Sequence, residues 1–197
     1  MKINWIYFLV VALVSGCAQP PTKPTYTEEL ATSPMPQNEV ERKNTSAYRM
    51  EEAKAAFEAK NYTVAFNALQ PLAAQGSSVA QFNLAYMYQH GLGTPENNEQ
   101  AVGWYTKASE QGNSDAQFNL GVIYYNGTIV KEDVVLGYAL VATAAKNGDA
   151  LAVDFCKHMS RGYPGKISTA QVQEAEKLSE LLLASTNYEK TIEKYSK

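Results

Sequence analysis

The chain has 197 residues, of which 45% are hydrophobic and 19% are charged, a composition typical of a globular domain. Its formal net charge of −3 argues against nucleic acid as a partner, since phosphate binding needs a concentrated basic surface. Two cysteines are too few for a disulfide framework. The two histidines are His90 and His158, and because they are 68 positions apart they offer no local spacing for a metal site.

Residues 1–16 have the pattern of a secretory signal peptide. Lys2 precedes an apolar run of nine residues, Ile6 to Val14, whereas a stable membrane-spanning helix needs about 20. Small residues then lead to Cys17, and two adjacent prolines follow, which disfavours a longer buried helix. An ordinary cleaved signal with a chance cysteine remains an alternative at this point.

The segment Val14-Ser15-Gly16-Cys17 resembles the lipobox of bacterial lipoproteins, in which an aliphatic residue and two small residues precede a cysteine. This resemblance implies cleavage before Cys17 and attachment of diacylglycerol and a further acyl chain, such as palmitate, to that residue. More than one acyl chain gives stable anchoring to a membrane. Ala18 at the next position implies an outer-membrane lipoprotein that faces the periplasm.

Residues 17–45 are predicted to form a lipidated, disordered, Pro-rich linker. The segment contains five of the eight prolines and shows no apolar periodicity, so it cannot close a core. The prolines are Pro20, Pro21, Pro24, Pro34 and Pro36. Such a tether would hold the folded residues clear of the membrane.

An internal repeat begins after this linker. "GSSVAQFNLAYMYQHG" starts at Gly76 and "GNSDAQFNLGVIYYNG" starts at Gly112, an offset of 36 residues, and a further 36 leads to Gly148. Each unit is predicted to be two helices, the first ending near Gly91 and the second near Gly112. The predicted structural positions of the repeat are Ala80, Leu84, Gly91, Ala101, Trp104, Gly112, Ala116, Leu120, Gly127, Gly148 and Cys156.

The combination of "AQFNLG", a later "YxxG" and "AxxWYxKAxEQG" most resembles the Sel-one-like repeat family, which is related to tetratricopeptide repeats. The resemblance implies an all-α fold over residues 46–186, a short right-handed α/α solenoid of repeats of about 36 residues. Ser168 and Gln171 have capping-box spacing at the start of a closing helix. Residues 187–197 are assigned to a charged C-terminal tail, and whether they fold is left open.

The concave face of such a solenoid presents side chains of the first helices and is the predicted partner-binding groove. Its candidates on the two units are Asn83, Tyr86, Gln89, His90, Asn119, Val122, Tyr125 and Asn126. Asparagine, glutamine and tyrosine suit recognition of a peptide segment. The alternative for Asn83 and Asn119 is that they bond to neighbouring helices and fix the stacking.

No catalytic constellation, metal site or cofactor motif is found in the sequence. Cys156 falls at a buried repeat position, which predicts a core thiol rather than a reactive one or a disulfide partner of Cys17. His158 lies two residues further along the helix and faces another direction, so a Cys–His dyad is disfavoured. His90 and His158 are interpreted as surface or groove residues.

These observations predict a non-enzymatic, lipid-anchored envelope protein that acts as a scaffold for another envelope protein or a peptide segment. Two alternatives come from the resemblance alone. The first is a protein that binds or hydrolyses peptidoglycan, although the cysteine pairs of the relatives discussed in that role are missing here. The second is a component of an exopolysaccharide or secretion assembly.

Overall fold

The computed structural model describes residues 45–160 and 166–195, and over these residues it contains nine helices and no strand. The helices are α1 (Ser46–Glu58), α2 (Tyr62–Ala74), α3 (Ser78–His90), α4 (Asn98–Glu110), α5 (Ser114–Asn126), α6 (Val134–Lys146), α7 (Ala150–Ser160), α8 (Thr169–Leu183) and α9 (Tyr188–Tyr195). The predicted signal peptide, Cys17 and nearly all of the predicted linker lie outside the described residues.

Helices α1 to α6 pack as three consecutive pairs. The two helices of each pair contact one another, and the second helix of each pair also contacts the first helix of the next. This is the predicted right-handed α/α solenoid, in which each unit buries an apolar face against its neighbours. Beyond the third pair, both α7 and α8 pack on α6.

The 36-residue period sets the N-terminal ends of the helices. The residue before α3, α5 or α7 accepts a hydrogen bond from the amide three positions later, which satisfies one of the unpaired amides at a helix start. Ser77, Asn113 and Asp149 do so at 3.3, 2.8 and 2.8 Å. Asn97 and Asp133 cap α4 and α6 in the same way, at 3.0 and 2.9 Å.

In the second and third pairs, the first helix ends at a left-handed glycine. Gly91 has φ 63° after α3, and Gly127 has φ 64° after α5. The loops then differ, because Gly93 is also left-handed and a Cβ there would overlap the carbonyl of Tyr62. Its repeat equivalent, Ile129, is not left-handed and packs against the core instead.

Five of the eleven predicted structural positions of the repeat are buried. Ala80, Leu84, Ala101, Ala116 and Leu120 are each at most 2% exposed. Trp104 and Cys156 are half-buried. The glycines at the junctions between units, Gly112 and Gly148, have φ of 80° and 94°.

The buried side chains form two main clusters. One lies within α1, α2 and α3 and includes Leu69, Leu72 and Met87, while the larger one extends from α3 to α9 and includes Tyr105, Leu140 and Leu178. Trp104 is half-buried and packs against both clusters. The core is therefore continuous along the array but is not evenly distributed.

The helical part of the chain continues beyond residue 186, where the sequence placed the end of the solenoid. Residues Tyr188–Tyr195 form α9, and Tyr188 is 2% exposed. Ile192 also packs against the larger cluster. The first part of the predicted charged tail is thus integrated into the fold.

Candidate functional site

The eight concave-face candidates lie on α3 and α5, the first helices of the second and third pairs. Both helices contact α4, the second helix of the second pair, which lies between them along the chain. The structure divides them into buried, hydrogen-bonded and exposed residues, and these three groups have different consequences for binding.

Two candidates are buried and cannot meet a partner directly. Asn83 is 4% exposed, and its Nδ2 donates to the carbonyl oxygen of Val79 in its own helix at 2.9 Å. Tyr125 is 3% exposed and packs edge-on against Phe155, with ring centroids 5.5 Å apart. The prediction of a groove position is wrong for both residues.

The burial of Tyr125 follows from a close approach of α5 and α6. A Cβ on Gly137 would overlap the backbone of Tyr125, so α6 comes nearer here than any other residue type would allow. Lys166 covers the same region, because its Nζ lies 2.7 Å from both the Tyr125 carbonyl oxygen and Glu132 Oε2.

Two further candidates, Gln89 and Asn119, bond to Tyr105 on α4. The Tyr105 hydroxyl donates to Gln89 Oε1 at 3.0 Å, and the side chain of Asn119 is in hydrogen-bonding contact with the same hydroxyl. Burial raises the pKa of Tyr105 far above its ordinary value, so it remains a neutral phenol. This bridge joins α3, α4 and α5, which is the stacking role that the sequence gave as an alternative for Asn119.

The remaining candidates are accessible. His90 and Asn126 are exposed, while Tyr86 and Val122 are half-buried. The rings of Tyr86 and His90 lie 4.1 Å apart, and partial desolvation of the imidazole lowers the pKa of His90, although the nearby Glu96 carboxylate acts in the opposite direction. His90 therefore presents a neutral imidazole at pH 7.

One residue of this surface was missed by the sequence reasoning. Phe118 is half-buried on α5 and lies four residues before Val122 and eight before Asn126, so the three share one stripe of the helix. Its ring packs edge-on against Phe155 at 6.1 Å. We define the inner face as Tyr86, His90, Phe118, Val122 and Asn126.

Two buried glutamines, also missed, connect consecutive units. Gln81 donates to the Ala73 carbonyl oxygen at 3.0 Å, and Gln117 donates to the Ser109 carbonyl oxygen at the same distance. Their side-chain oxygens accept from Gln111 at 2.6 Å and from Asn147 at 2.9 Å. The signal was present, because these two identical glutamines, 36 positions apart, lie in the middle of an apolar block.

The surroundings of Cys156 do not favour a catalytic role for its thiol. Burial raises the pKa of its thiol to about 11, so the thiol is protonated at neutral pH and is a poor nucleophile. His158 is exposed, and its Nδ1 lies 2.8 Å from the Asp154 carbonyl oxygen. Within residues 45–160 and 166–195, no group of three or more metal-ligating side chains is found.

The Sel1 repeat family matches residues 78–113 and 114–149, which are the second and third helix pairs with their junctions. Over these residues the chain is similar to Sel1 repeats. No curated protein matches this sequence.

Two solved structures share the fold. One is c5321, a protective antigen present in uropathogenic Escherichia coli strains and displaying an SLR fold, with 28% identity over 78% of this chain and a TM-score of 0.66. The other is a Sel1 repeat protein from Oxalobacter formigenes, with 26% identity over 57% of this chain and a TM-score of 0.51. The alignment covers 35% of the c5321 chain and 87% of the Oxalobacter chain.

Sel1-repeat proteins generally act as protein-interaction scaffolds, and the fold is typically not catalytic. In the part of the chain that the structure describes, no helix is both long and apolar enough to cross a membrane.

Proposed function

We propose that this protein is a lipid-anchored scaffold of the bacterial cell envelope that binds a peptide segment of another envelope protein on the inner face of its Sel1 repeats. The observation that carries the binding role is the stripe of accessible aromatic and amide side chains on α3 and α5. Tyrosine and phenylalanine supply contact area with little loss of conformational entropy, and asparagine and neutral histidine can bond to peptide groups.

The inner face also has a rigid base, which favours binding. The Tyr105 bridge fixes α3 relative to α5, so the exposed residues on these helices are held at a set separation before a partner arrives. A surface that is ordered beforehand loses less entropy on binding than a flexible one.

Site-specific photo-crosslinking tests the position of the surface. A photoreactive amino acid at His90 or Asn126, both exposed, is expected to capture the same envelope protein in living cells. Gly103 is the matched control, because it is exposed on α4 and a Cβ there meets no atom within 4 Å. Equal capture from all three positions, or capture from Gly103 alone, would contradict binding on the inner face.

The anchor in this proposal is Cys17, and the location is the outer membrane facing the periplasm, both inferred from the lipobox-like segment and Ala18. Cys17→Ala is expected to abolish incorporation of radioactive palmitate and to move the protein from the membrane fraction to the soluble fraction. Cys156→Ala is the control, since it leaves the lipobox intact. Unchanged labelling of the Cys17→Ala protein would overturn the anchor without affecting the binding role.

A further inference from the structure

Helix α9 contacts the solenoid at a junction that is distant in sequence. Tyr188, 2% exposed, reaches both the end of α4 and the start of α5. Its amide donates to Glu110 Oε1 at 2.8 Å, and its hydroxyl accepts from Gln117 Nε2 at 3.0 Å. These two bonds connect residues 78 and 71 positions apart.

The contact with α9 explains why a carboxylate is found at position Glu110. A carboxylate in the last turn of a helix is disfavoured by the helix dipole, and Glu110 is the last residue of α4. The same carboxylate accepts the first amide of α9, where a negative charge is favoured. Glu110 therefore caps α9 from another helix, while Asn187 caps it locally through the Lys190 amide at 2.7 Å.

Gln117 is shared between the junction and α9. Its amide donates to the Ser109 carbonyl oxygen and to the Tyr188 hydroxyl, and its oxygen accepts from Asn147. The equivalent Gln81, at the preceding junction, makes the corresponding bonds to the Ala73 carbonyl oxygen and from Gln111. Gln117, at the junction between α4 and α5, differs from Gln81 by its additional hydrogen bond to a tyrosine, Tyr188.

The turn before α9 fixes its direction. The Ser185 hydroxyl donates to the Asn187 carbonyl oxygen at 2.8 Å and lies 2.7 Å from Thr191 Oγ1. Since α8 packs on α6, the turn leads from the third pair back to the end of the second pair. Tyr188 is thus aimed at the α4–α5 junction by local hydrogen bonds.

From this arrangement we propose that α9 is a strap that locks the junction between α4 and α5. The strap connects the end of the array to the second pair, so the second and third pairs separate only when Tyr188 leaves the junction. The first junction, between α2 and α3, is held by Gln81 without that connection. This inference does not depend on the proposed function, because it concerns the mechanics of the array.

Hydrogen exchange of the full chain, read by mass spectrometry, tests the strap. In Tyr188→Ala, amide exchange in residues 108–118 is expected to rise at least about tenfold, because local opening of the junction no longer requires release of the tyrosine. Exchange in residues 73–81, at the first junction, is expected to stay as in the wild type. Lys190→Ala is the control, since this side chain is exposed on the same helix.

Two results would overturn the proposal. One is faster exchange confined to residues 184–195, which would mean that α9 lies on the surface without holding the junction. The other is an equal rise at both junctions, which would mean a general loss of core packing. Glu110→Gln keeps the shape of the residue and serves if Tyr188→Ala fails to fold. A rise of about threefold is expected at residues 108–118, since hydrogen bonds to charged groups are roughly twice as strong as neutral ones, and wild-type exchange there would contradict the strap.

Discussion

At the scale of single residues, the buried glutamines carry the polar connections between units. Gln117 is 1% exposed and uses its amide and its oxygen together, in bonds to Ser109, Asn147 and Tyr188. Removing this side chain takes away the donor to the buried Tyr188 hydroxyl and opens a cavity, and a buried polar group left without its partner costs about 1–3 kcal/mol. Gln117 is therefore a structural residue in spite of its polarity.

Gln117→Ala is predicted to lower the free energy of unfolding by about 2–4 kcal/mol, through unpaired polar groups and a cavity. Urea denaturation followed by circular dichroism measures this change. Gln70→Ala is the matched control, because Gln70 is exposed on α2, and its effect should stay within about 0.5 kcal/mol. Similar losses in the two variants would refute the assigned role of Gln117.

Asp115 occupies a position that is apolar in the neighbouring units. Its repeat equivalents are Val79 and Leu151, and it lies in the first turn of α5. Burial, with a smaller contribution from the negative charge of Asp149, raises the pKa of Asp115 to about 6. The folded state therefore binds this proton more tightly than the unfolded chain does, so Asp115 destabilises the fold increasingly as pH rises from about 4 to 6.

Asp115→Asn is accordingly predicted to be more stable than the wild type at pH 8, by about 1–3 kcal/mol, since the asparagine carries no charge to bury. The difference should shrink as the pH falls through about 6 and approach zero near pH 3, where the wild-type carboxyl is protonated in both the folded and the unfolded state. Urea unfolding at a series of pH values measures it. Asp154→Asn, at an exposed position, should show no such trend. A pH-independent gain in Asp115→Asn would contradict the explanation.

At the scale of helices, the third pair packs more closely than the second. Gly121 and Gly137 stand where the second pair has Ala85 and Ala101. A Cβ on Gly121 would lie 2.7 Å from Val141 Cγ2 and 2.8 Å from the Gly137 carbonyl oxygen. Backbone atoms cannot move aside as the end of a flexible side chain can, so the crossing of α5 and α6 requires glycine.

Gly121→Ala is predicted to destabilise the protein by about 1–3 kcal/mol through overpacking. Gly103→Ala changes the same atoms at an exposed helical position with open space, and it should stabilise by about 0.5–1 kcal/mol through helix propensity. Thermal unfolding of both variants measures the contrast. If both substitutions shift the midpoint in the same direction, the close approach is not what requires Gly121.

The helices could be predicted from the sequence because their signals are local. Glycines at the 36-residue period end them, and the Ser168–Gln171 spacing predicted a capping box that the structure contains. The inner face was predicted less well. Asn83 and Tyr125 were assigned to it although both are buried. The burial of Tyr125 depends on how closely α5 and α6 cross, which Gly137 sets from another helix.

At the scale of the whole molecule, the contacts between segments that are not neighbouring repeat units could not be predicted from the sequence. The bonds of Tyr188 to Glu110 and Gln117 span more than 70 residues, and no periodicity predicts where a segment after the repeats will lie. The repeat itself was predictable because each unit contacts its neighbours through the same positions. The strap and the close crossing of α5 and α6 together make the third pair the most constrained part of the array.

This uneven constraint predicts that the two core clusters open separately. Leu69 and Leu140 are both fully buried, one in the cluster of α1 to α3 and the other in the larger cluster. Truncating either to alanine costs about 2–5 kcal/mol locally, and in a repeat array such a loss is transmitted only through neighbouring interfaces. Leu69→Ala should therefore accelerate amide exchange mainly in α1 and α2 and leave α5 and α6 slow.

Leu140→Ala should accelerate exchange in the other part of the array, but over more helices than Leu69→Ala does. It weakens the cluster on which α5, α6, α8 and the strap all depend, so exchange is expected to rise from α4 to α9 while α1 and α2 change less. Hydrogen exchange under native conditions compares the two variants in one experiment. Identical exchange profiles would show that the array unfolds as one cooperative unit, and the half-buried ring of Trp104, which contacts both clusters, would then be sufficient to couple them.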